Sequence, residues 1–328
     1  MRRFGDFRGD GPPAFLHGAN LPWLRYGGDF GANAWSPGGG LATHGVPPEV
    51  HDDLARLRAG GAAWLRWFVL CDGRAGIRFD GDGTPLGVDD HVRADLDVAL
   101  DLAASVDLRL VLTLFDFHWF AAAREVSGVQ LGGRRRVIAR RTRRTALIDR
   151  VVAPIVAHVG AHPALGAWDV INEPEWATFG IGTFDPRRSI RRSVMRAFIR
   201  EVAGAARAAG PAPVTVGSAH VRGLDLVRGL GLDFYQVHWY DHLEADMPLT
   251  RPVSALALDG PVVLGEFPTR GSRRDAAAIL DVARAAGYAG GWFWSVRADD
   301  TATDREAAVL AFGAAPAGAG TPTAGQEG

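Results

Sequence analysis

Short apolar runs recur along this chain, and each is followed by a stretch with a different period. The runs include AAWLRWFVL, LRLVLTLFDFHW, AWDVINEP, VTVGSAH, FYQVHWY, VVLGEF and GGWFWSV. Between most of them, apolar residues return every three to four positions, the period of a helix with one buried face. This alternation is the signature of repeated βα units, which build a parallel sheet. The strand candidates end near Leu21, Leu70, His118, Asn172, His220, His238, Glu266 and Trp294, which makes eight. Eight such units close on themselves, so the expected fold is α/β, a single-domain (β/α)8 TIM barrel, and 328 residues suit it.

The helical stretches support this reading. Residues 49–59 place Val50, Leu54 and Leu57 on one face, and 90–105 do the same with Val92, Leu96, Leu100 and Ala103. Residues 142–159, 188–209 and 275–286 pass the same test, the segments after strands five and six are short, and a last helix is expected at 304–312. The barrel is assigned to 1–313. The remainder, 314–328, reads AAPAGAGTPTAGQEG, has almost no large apolar residue, and is expected to be a disordered tail. Two connections are long, 22–48 and 120–141. Active sites of such barrels lie where strands run into the following loops, so these two should wall a cleft.

Composition narrows the partner. With 36 basic and 37 acidic residues the formal net charge is -1, which gives no pull toward nucleic acid or an anionic membrane. No apolar run approaches membrane-spanning length. Every basic residue is Arg, which a coding bias explains. The dense run GGRRRVIARRTRR from Gly132 is read as an exposed loop entering a helix rather than as a phosphate site. Cys71 is alone, so it is expected to be a buried small apolar residue, without disulfide or zinc. The start, MRRFGDFRGD, lacks an apolar core after its arginines, and a cytoplasmic location is the expectation.

The sharpest motif is WDVINEPEW, an apolar strand that stops at Asn172, Glu173 and Pro174. A second apolar strand, VVLG, ends in Glu266. Two carboxylates on strand ends of one barrel mouth are what glycosidic cleavage requires. One protonates the leaving oxygen, and the other attacks the anomeric carbon or activates water.

Strand by strand, the chain resembles the clan A glycoside hydrolases, and most closely family 5, the cellulase and mannanase family. The likeness rests on Arg66 in WLRWF, His118 in DFHW, Asn172 and Glu173 in INEP, His238 and Tyr240 in HWY, Glu266 in GEF, and Trp294 in WFW, in the family's order. It spans about 16–296. The resemblance implies a retaining β-glycoside hydrolase with Glu173 as general acid/base and Glu266 as nucleophile, without cofactor or metal. The substrate would be a neutral carbohydrate, a β-mannoside or β-glucoside. Oligomeric state stays open.

The chemistry of each residue fits those roles. An ionised Glu266 nearby would raise the Glu173 pKa and keep it protonated. Arg66 and Tyr240 could hold Glu266 ionised, Asn172 could bond the sugar 2-hydroxyl, and Trp294 offers a flat face to the ring. Arg66 lies inside an apolar run, where an unpaired guanidinium is costly, so a functional role is expected; its replacement by Met should lower turnover and leave the fold intact. His118, His238 and Tyr240 could instead be satisfied polar groups, and Trp294 could simply pack. Trp23, Arg25, Tyr26, Asp29 and Trp35 form either sugar subsites or a self-packed loop. Asp116, Trp176 and His220 flank the candidate positions. Two other functions stay open: a metal-dependent hydrolase using His118, His220 and His238, and a sugar-binding pseudoenzyme. With no binding module or linker, short soluble substrates and a pocket closed at one end by the two long loops are expected.

Overall fold

The computed structural model describes residues 15–298 and 300–304; the helix expected at 304–312 and the tail at 314–328 fall almost wholly outside them. Eight parallel strands close into a barrel: β1 (Leu16–Asn20), β2 (Trp64–Phe68), β3 (Arg109–Asp116), β4 (Leu165–Asn172), β5 (Val214–Ser218), β6 (Tyr235–His238), β7 (Val262–Glu266) and β8 (Gly290–Trp294). β8 returns to β1, pairing Leu16 with Gly290 and Asn20 with Trp294. Both faces of every strand are covered, which is why the strands are near-continuous apolar runs.

Several strands stop earlier than their apolar runs. β2 ends at Phe68, β3 at Asp116 and β5 at Ser218. His118 therefore sits in a short 3-10 turn, Phe117–Phe120, begun by the Asp116 carboxylate accepting from the His118 N–H. Apolar character outlasts sheet pairing at the mouth because the loops bury their first residues too.

Helices cover the outside: α1 (Pro48–Ala59), α2 (Val92–Ser105), α3 (141–159, with a π-helical turn at Ile148–Val152), α4 (Arg192–Ala209), the single turn α5 (Leu224–Val227) and α6 (Ala276–Ala285). α1 opens with Pro48 at its first position, where the missing N–H costs nothing. It buries Val50, Leu54 and Leu57. α4 buries Met195, Phe198, Ile199, Val202, Ala203 and Ala206, a stripe at helical spacing. After β6 only 3-10 turns follow. None of the described helices is long and apolar enough to cross a membrane.

The inner-facing residues change character along the barrel axis. Toward the strand N-termini, Trp64, Val111, Ala167, Phe234, Val263 and Trp292 form an apolar plug, with the Trp64 and Trp292 rings stacked 6.2 Å apart. Two residues further along β2 stands Arg66, wholly buried. The barrel floor is greasy and its mouth is polar.

Three loops shape the mouth. The Gly-rich segment after β1 is held by buried acids: Asp29 accepts from the Leu24 and Arg25 N–H groups and Trp67 Nε1, and Asp95 of α2 from the N–H groups of Gly31, Gly40 and Ala42. The loops after β2 and β3 each fold back as a two-stranded hairpin, Ile77–Phe79 with Pro85–Val88 and Arg124–Val126 with Val129–Leu131.

Candidate active site

Arg66 is the hub of the mouth. Its Nε donates to Asp169 Oδ2 at 2.8 Å, Nη1 to Glu266 Oε1 at 2.6 Å and Asn20 Oδ1 at 3.1 Å, and Nη2 to Asn172 Oδ1 at 2.8 Å. One guanidinium thus ties β1, β4 and β7 to β2. Room for it exists because β5 carries Gly217: a Cβ there would lie 2.7 Å from Arg66 Nη2. A buried cation is tolerable only with such partners, and two carboxylates and two amides supply them. Asp169 is itself fixed by Thr113 Oγ1 and the Gly217 N–H.

Glu266 ends β7 with only 4% of its surface exposed. One oxygen is held by Arg66, and the other accepts from the Tyr240 hydroxyl at 3.2 Å. Burial raises its pKa, and Glu173 adds to the rise; the Arg66 guanidinium opposes both and favours the anion. Tyr240, buried beside two acids, has its pKa driven well upward and stays a donor.

Glu173 lies in a different environment. Its backbone is left-handed, φ 47° and ψ 50°, unusual for a residue with a side chain, and its N–H donates to Gly217 O at 2.7 Å. This kink ends β4 and turns the carboxyl into the mouth, leaving 17% of the side chain open. Burial first, and then the Asp116 charge, raises its pKa to about 7, against the hydrogen bond from Trp176 Nε1 at 2.9 Å and the nearby Arg66 and His118. Repulsion from Asp116, rather than from Glu266 as the sequence suggested, is the leading charge effect on Glu173. His238 Nδ1 lies 2.8 Å from Glu173 Oε1 and 3.4 Å from Glu266 Oε2. Burial lowers its pKa to about 4, so the ring is neutral, with Nδ1 turned toward both acids. Oxygens of Glu173 and Glu266 come within 4.8 Å of one another.

Above the carboxylates is a cavity of about 310 Å3, lined by Trp23, Phe68, Phe117, Tyr240 and Trp294 around Asp116, His118, Asn172, Glu173 and Glu266. Trp23 meets Trp294 edge-on at 5.8 Å, and Trp294 is fixed by Nε1 donating to Asp300 at 2.7 Å. Trp23, Tyr26 and His118 also line a second chamber of about 680 Å3, walled by Asp72 and Arg74 from the β2 loop and Ala121–Arg124 from the β3 loop. The long loops thus extend the cleft with a second chamber.

Of the sequence candidates, Glu173, Glu266, Asn172, Tyr240, His118, Trp294 and Trp23 meet at the first cavity. Arg66 and His238 are fully buried and outside its lining, so they act on the carboxylates and not on a sugar. Asp29 is no subsite: its oxygens serve the loop backbone and Trp67. Trp176 reaches the site only through its bond to Glu173, and its ring is half exposed. Trp35 donates to Val126 O and stacks with Arg74, away from the carboxylates. Cys71 is buried, as its isolation suggested. The histidine set of the metal reading does not converge: among the described residues the one possible ligand cluster is Glu173, His238 and Glu266, while His220 faces Asp246.

Sequence reasoning missed Asp169 and underweighted Asp116, which accepts from Asn172 Nδ2 at 2.9 Å and pairs with His118. The pairing of β4 with β5 is irregular between Asp169 and Asn172, so two residues three apart both face inward and strict alternation hides one of them. A lone Asp in an apolar strand was the available signal. Glu175 is also hidden. It is buried behind Glu173, accepts from the His220 N–H at 3.2 Å, and burial raises its pKa to about 8.

No family model matches the sequence. The chain is 26% identical over 325 residues to a mannan endo-1,4-β-mannosidase of Mytilus edulis, covering 87% of this chain and 84% of that protein. The crystal structure of an endo-1,4-β-mannanase from Eisenia fetida superposes with TM-score 0.76 at 27% identity, over 91% of this chain and 90% of the other. A glycoside hydrolase family 5 enzyme from Prevotella bryantii B14 shares the fold with TM-score 0.57 at 16% identity, over 91% and 95%. On sequence and fold together, this chain is a retaining β-glycoside hydrolase on a (β/α)8 barrel, similar to endo-1,4-β-mannanases and, in fold, to a glycoside hydrolase family 5 enzyme.

Proposed function

We propose that this enzyme cuts β-1,4-linked mannan chains internally, with Glu173 as acid/base and Glu266 as nucleophile. The observation that carries the assignment of roles is a pair of carboxyls within 4.8 Å in opposite electrostatic settings. Glu266 is gripped by a guanidinium, and Glu173 is held near neutrality with a pKa of about 7. A separation of roughly 5 Å suits direct attack, whereas an inverting water needs roughly 6.5 to 9.5 Å.

In the first step Glu173 gives its proton to the glycosidic oxygen as that oxygen leaves the anomeric carbon. The Glu266 carboxylate attacks the same carbon from the opposite side and forms a glycosyl ester. In the second step water attacks that carbon, loses its proton to Glu173, and frees Glu266. One bond is broken, one water is consumed, and two inversions give net retention. Asn172, oriented by Arg66 and Asp116, is placed to meet the 2-hydroxyl, and Trp294 to carry a ring face.

Mannan as substrate and internal cleavage are both supported by the relatives named above, and the second chamber gives a chain room on one side of the carboxylates. The test is hydrolysis of mannohexaose and cellohexaose followed by proton NMR. The β-anomer should appear first, with internal products from the mannan oligomer. Early α-anomer would overturn the roles, faster cellohexaose cleavage the sugar, and stepwise monosaccharide release the internal cut.

A further inference from the structure

The arginine run that begins at Arg134 does not act as one patch. Arg134 lies over the Phe79 ring at 3.8 Å, and Arg144 is buried against Glu201 with contacts of 2.8 and 3.0 Å. Arg135 and Arg136 turn elsewhere. With Arg187 and Arg188 of the loop before α4 they surround a pocket of about 340 Å3, whose remaining walls are Phe120, Gly133 and Ala121–Ala123. No acidic residue lines it; behind it Asp185 pairs with Arg188 at 3.5 Å and offsets part of that one charge. The walls are braced to each other: Arg135 Nη1 donates to Ser189 O at 3.1 Å. Arg136 and Arg187 are exposed, and the guanidinium of neither is in an ion pair among the described residues, although the Arg187 N–H donates to Asp185 Oδ1 at 2.9 Å.

Four guanidiniums around one concavity repel one another, and an oxyanion relieves that repulsion with paired hydrogen bonds. The position of the pocket says where the anion comes from. Ala121–Ala123 form one wall of this pocket and one wall of the second chamber, so a chain leaving the cleft over them meets the arginines next. We propose that the four-arginine pocket binds an oxyanion, a carboxylate or sulfate, carried as a substituent on the carbohydrate chain. This rests on the reading of the enzyme as a mannan hydrolase and narrows its substrate to acidic mannan-type chains.

The test compares β-1,4-mannan with the same polymer lightly carboxymethylated, for the full chain and for a double variant, Arg136→Glu with Arg187→Glu. Both residues are exposed and lie outside the catalytic network. The full chain should show a KM about fivefold lower for the acidic polymer at low salt, the scale of exposed ion pairs, and lose the advantage as salt rises. The variant should lose it at every salt concentration and keep its kcat and KM on neutral mannan. Equal KM values in the full chain, or equal losses on both polymers in the variant, would overturn the proposal. Inorganic sulfate that alters neutral-mannan turnover through these arginines would mark a site for a free anion and overturn it, as would arginine-dependent capture of duplex DNA without any preference between the polymers. If neither polymer is cleaved, it is the mannan reading that fails. Arginine-dependent retention on immobilised carboxymethyl mannan, with none on neutral mannan, then still decides the pocket.

Discussion

Trp64 and Arg66 stand two residues apart on one strand and point into the same barrel, yet they belong to different worlds. Trp64 stacks on Trp292 in the apolar floor, while Arg66 binds two carboxylates and two amides under the mouth. The floor is held by area removed from water, an attraction without direction. The mouth is held by directed bonds between charges. The same sheet therefore supplies bulk stability at one end and aim at the other.

The largest expected break in this comparison is chemical. Glu266→Ala should lower turnover on the order of 10^4 or more and leave the floor packed; azide in the vacated space should restore cleavage of an activated aryl mannoside with inverted product. Its melting temperature should fall less than that of an Arg66 variant, because Arg66 keeps Asp169, Asn172 and Asn20 as partners; an equal fall would break that ranking.

Arg66→Met sharpens the contrast, because it strips both roles at once. The sequence alone suggested an intact fold, but the guanidinium offsets two buried carboxylates. About 3–5 kcal/mol of stability should go with it, besides at least about a hundredfold in turnover. Chemical denaturation and kcat per folded molecule separate the two. Trp64→Ala is the mirror experiment: a cavity in the floor should cost about 3–5 kcal/mol and leave kcat per folded molecule unchanged.

Smaller effects test the mouth's electrostatics. Activity should fall as pH rises through about 7, where Glu173 loses the proton it must donate, and should fall on the acid side as Glu266 gains one. Asp116→Asn removes a charge that raises the Glu173 pKa, so the alkaline limb should move down; Trp176→Phe removes a bond that favours the anion, so it should move up. Equal shifts in the same direction would break the assignment. The least effect is expected from Glu175→Gln. With a folded pKa of about 8 against an ordinary 4.5, Glu175 contributes stability that is complete below pH 4.5 and lost as pH rises to about 8. The variant's melting temperature should vary less over that window.

The barrel was legible because its strands are buried on both faces, which writes them as apolar runs, and because α1, α2 and α4 carry clean stripes. The carboxylates were legible for the same reason: Glu173 and Glu266 interrupt apolar runs where strands stop. Asp29 was misread because an acid in an aromatic, Gly-rich loop looks identical whether it serves a ligand or the loop's own N–H groups. Asp169 was lost to an irregular strand pairing, and the source of the Glu173 shift depends on which neighbour comes closest, a matter of geometry alone.

The small hairpin of Arg124–Val126 and Val129–Leu131, at the edge of the second chamber, has a consequence for how such an enzyme can change over generations. It pairs only with itself, so it is neither hydrogen-bonded into the barrel sheet nor tied to Arg66. Insertions and exchanges at its tip leave Glu173 and Glu266 where they are. A lineage can thus alter which decorations its glycan carries while inheriting the cutting machinery intact, much as a tool keeps its handle when the bit is replaced.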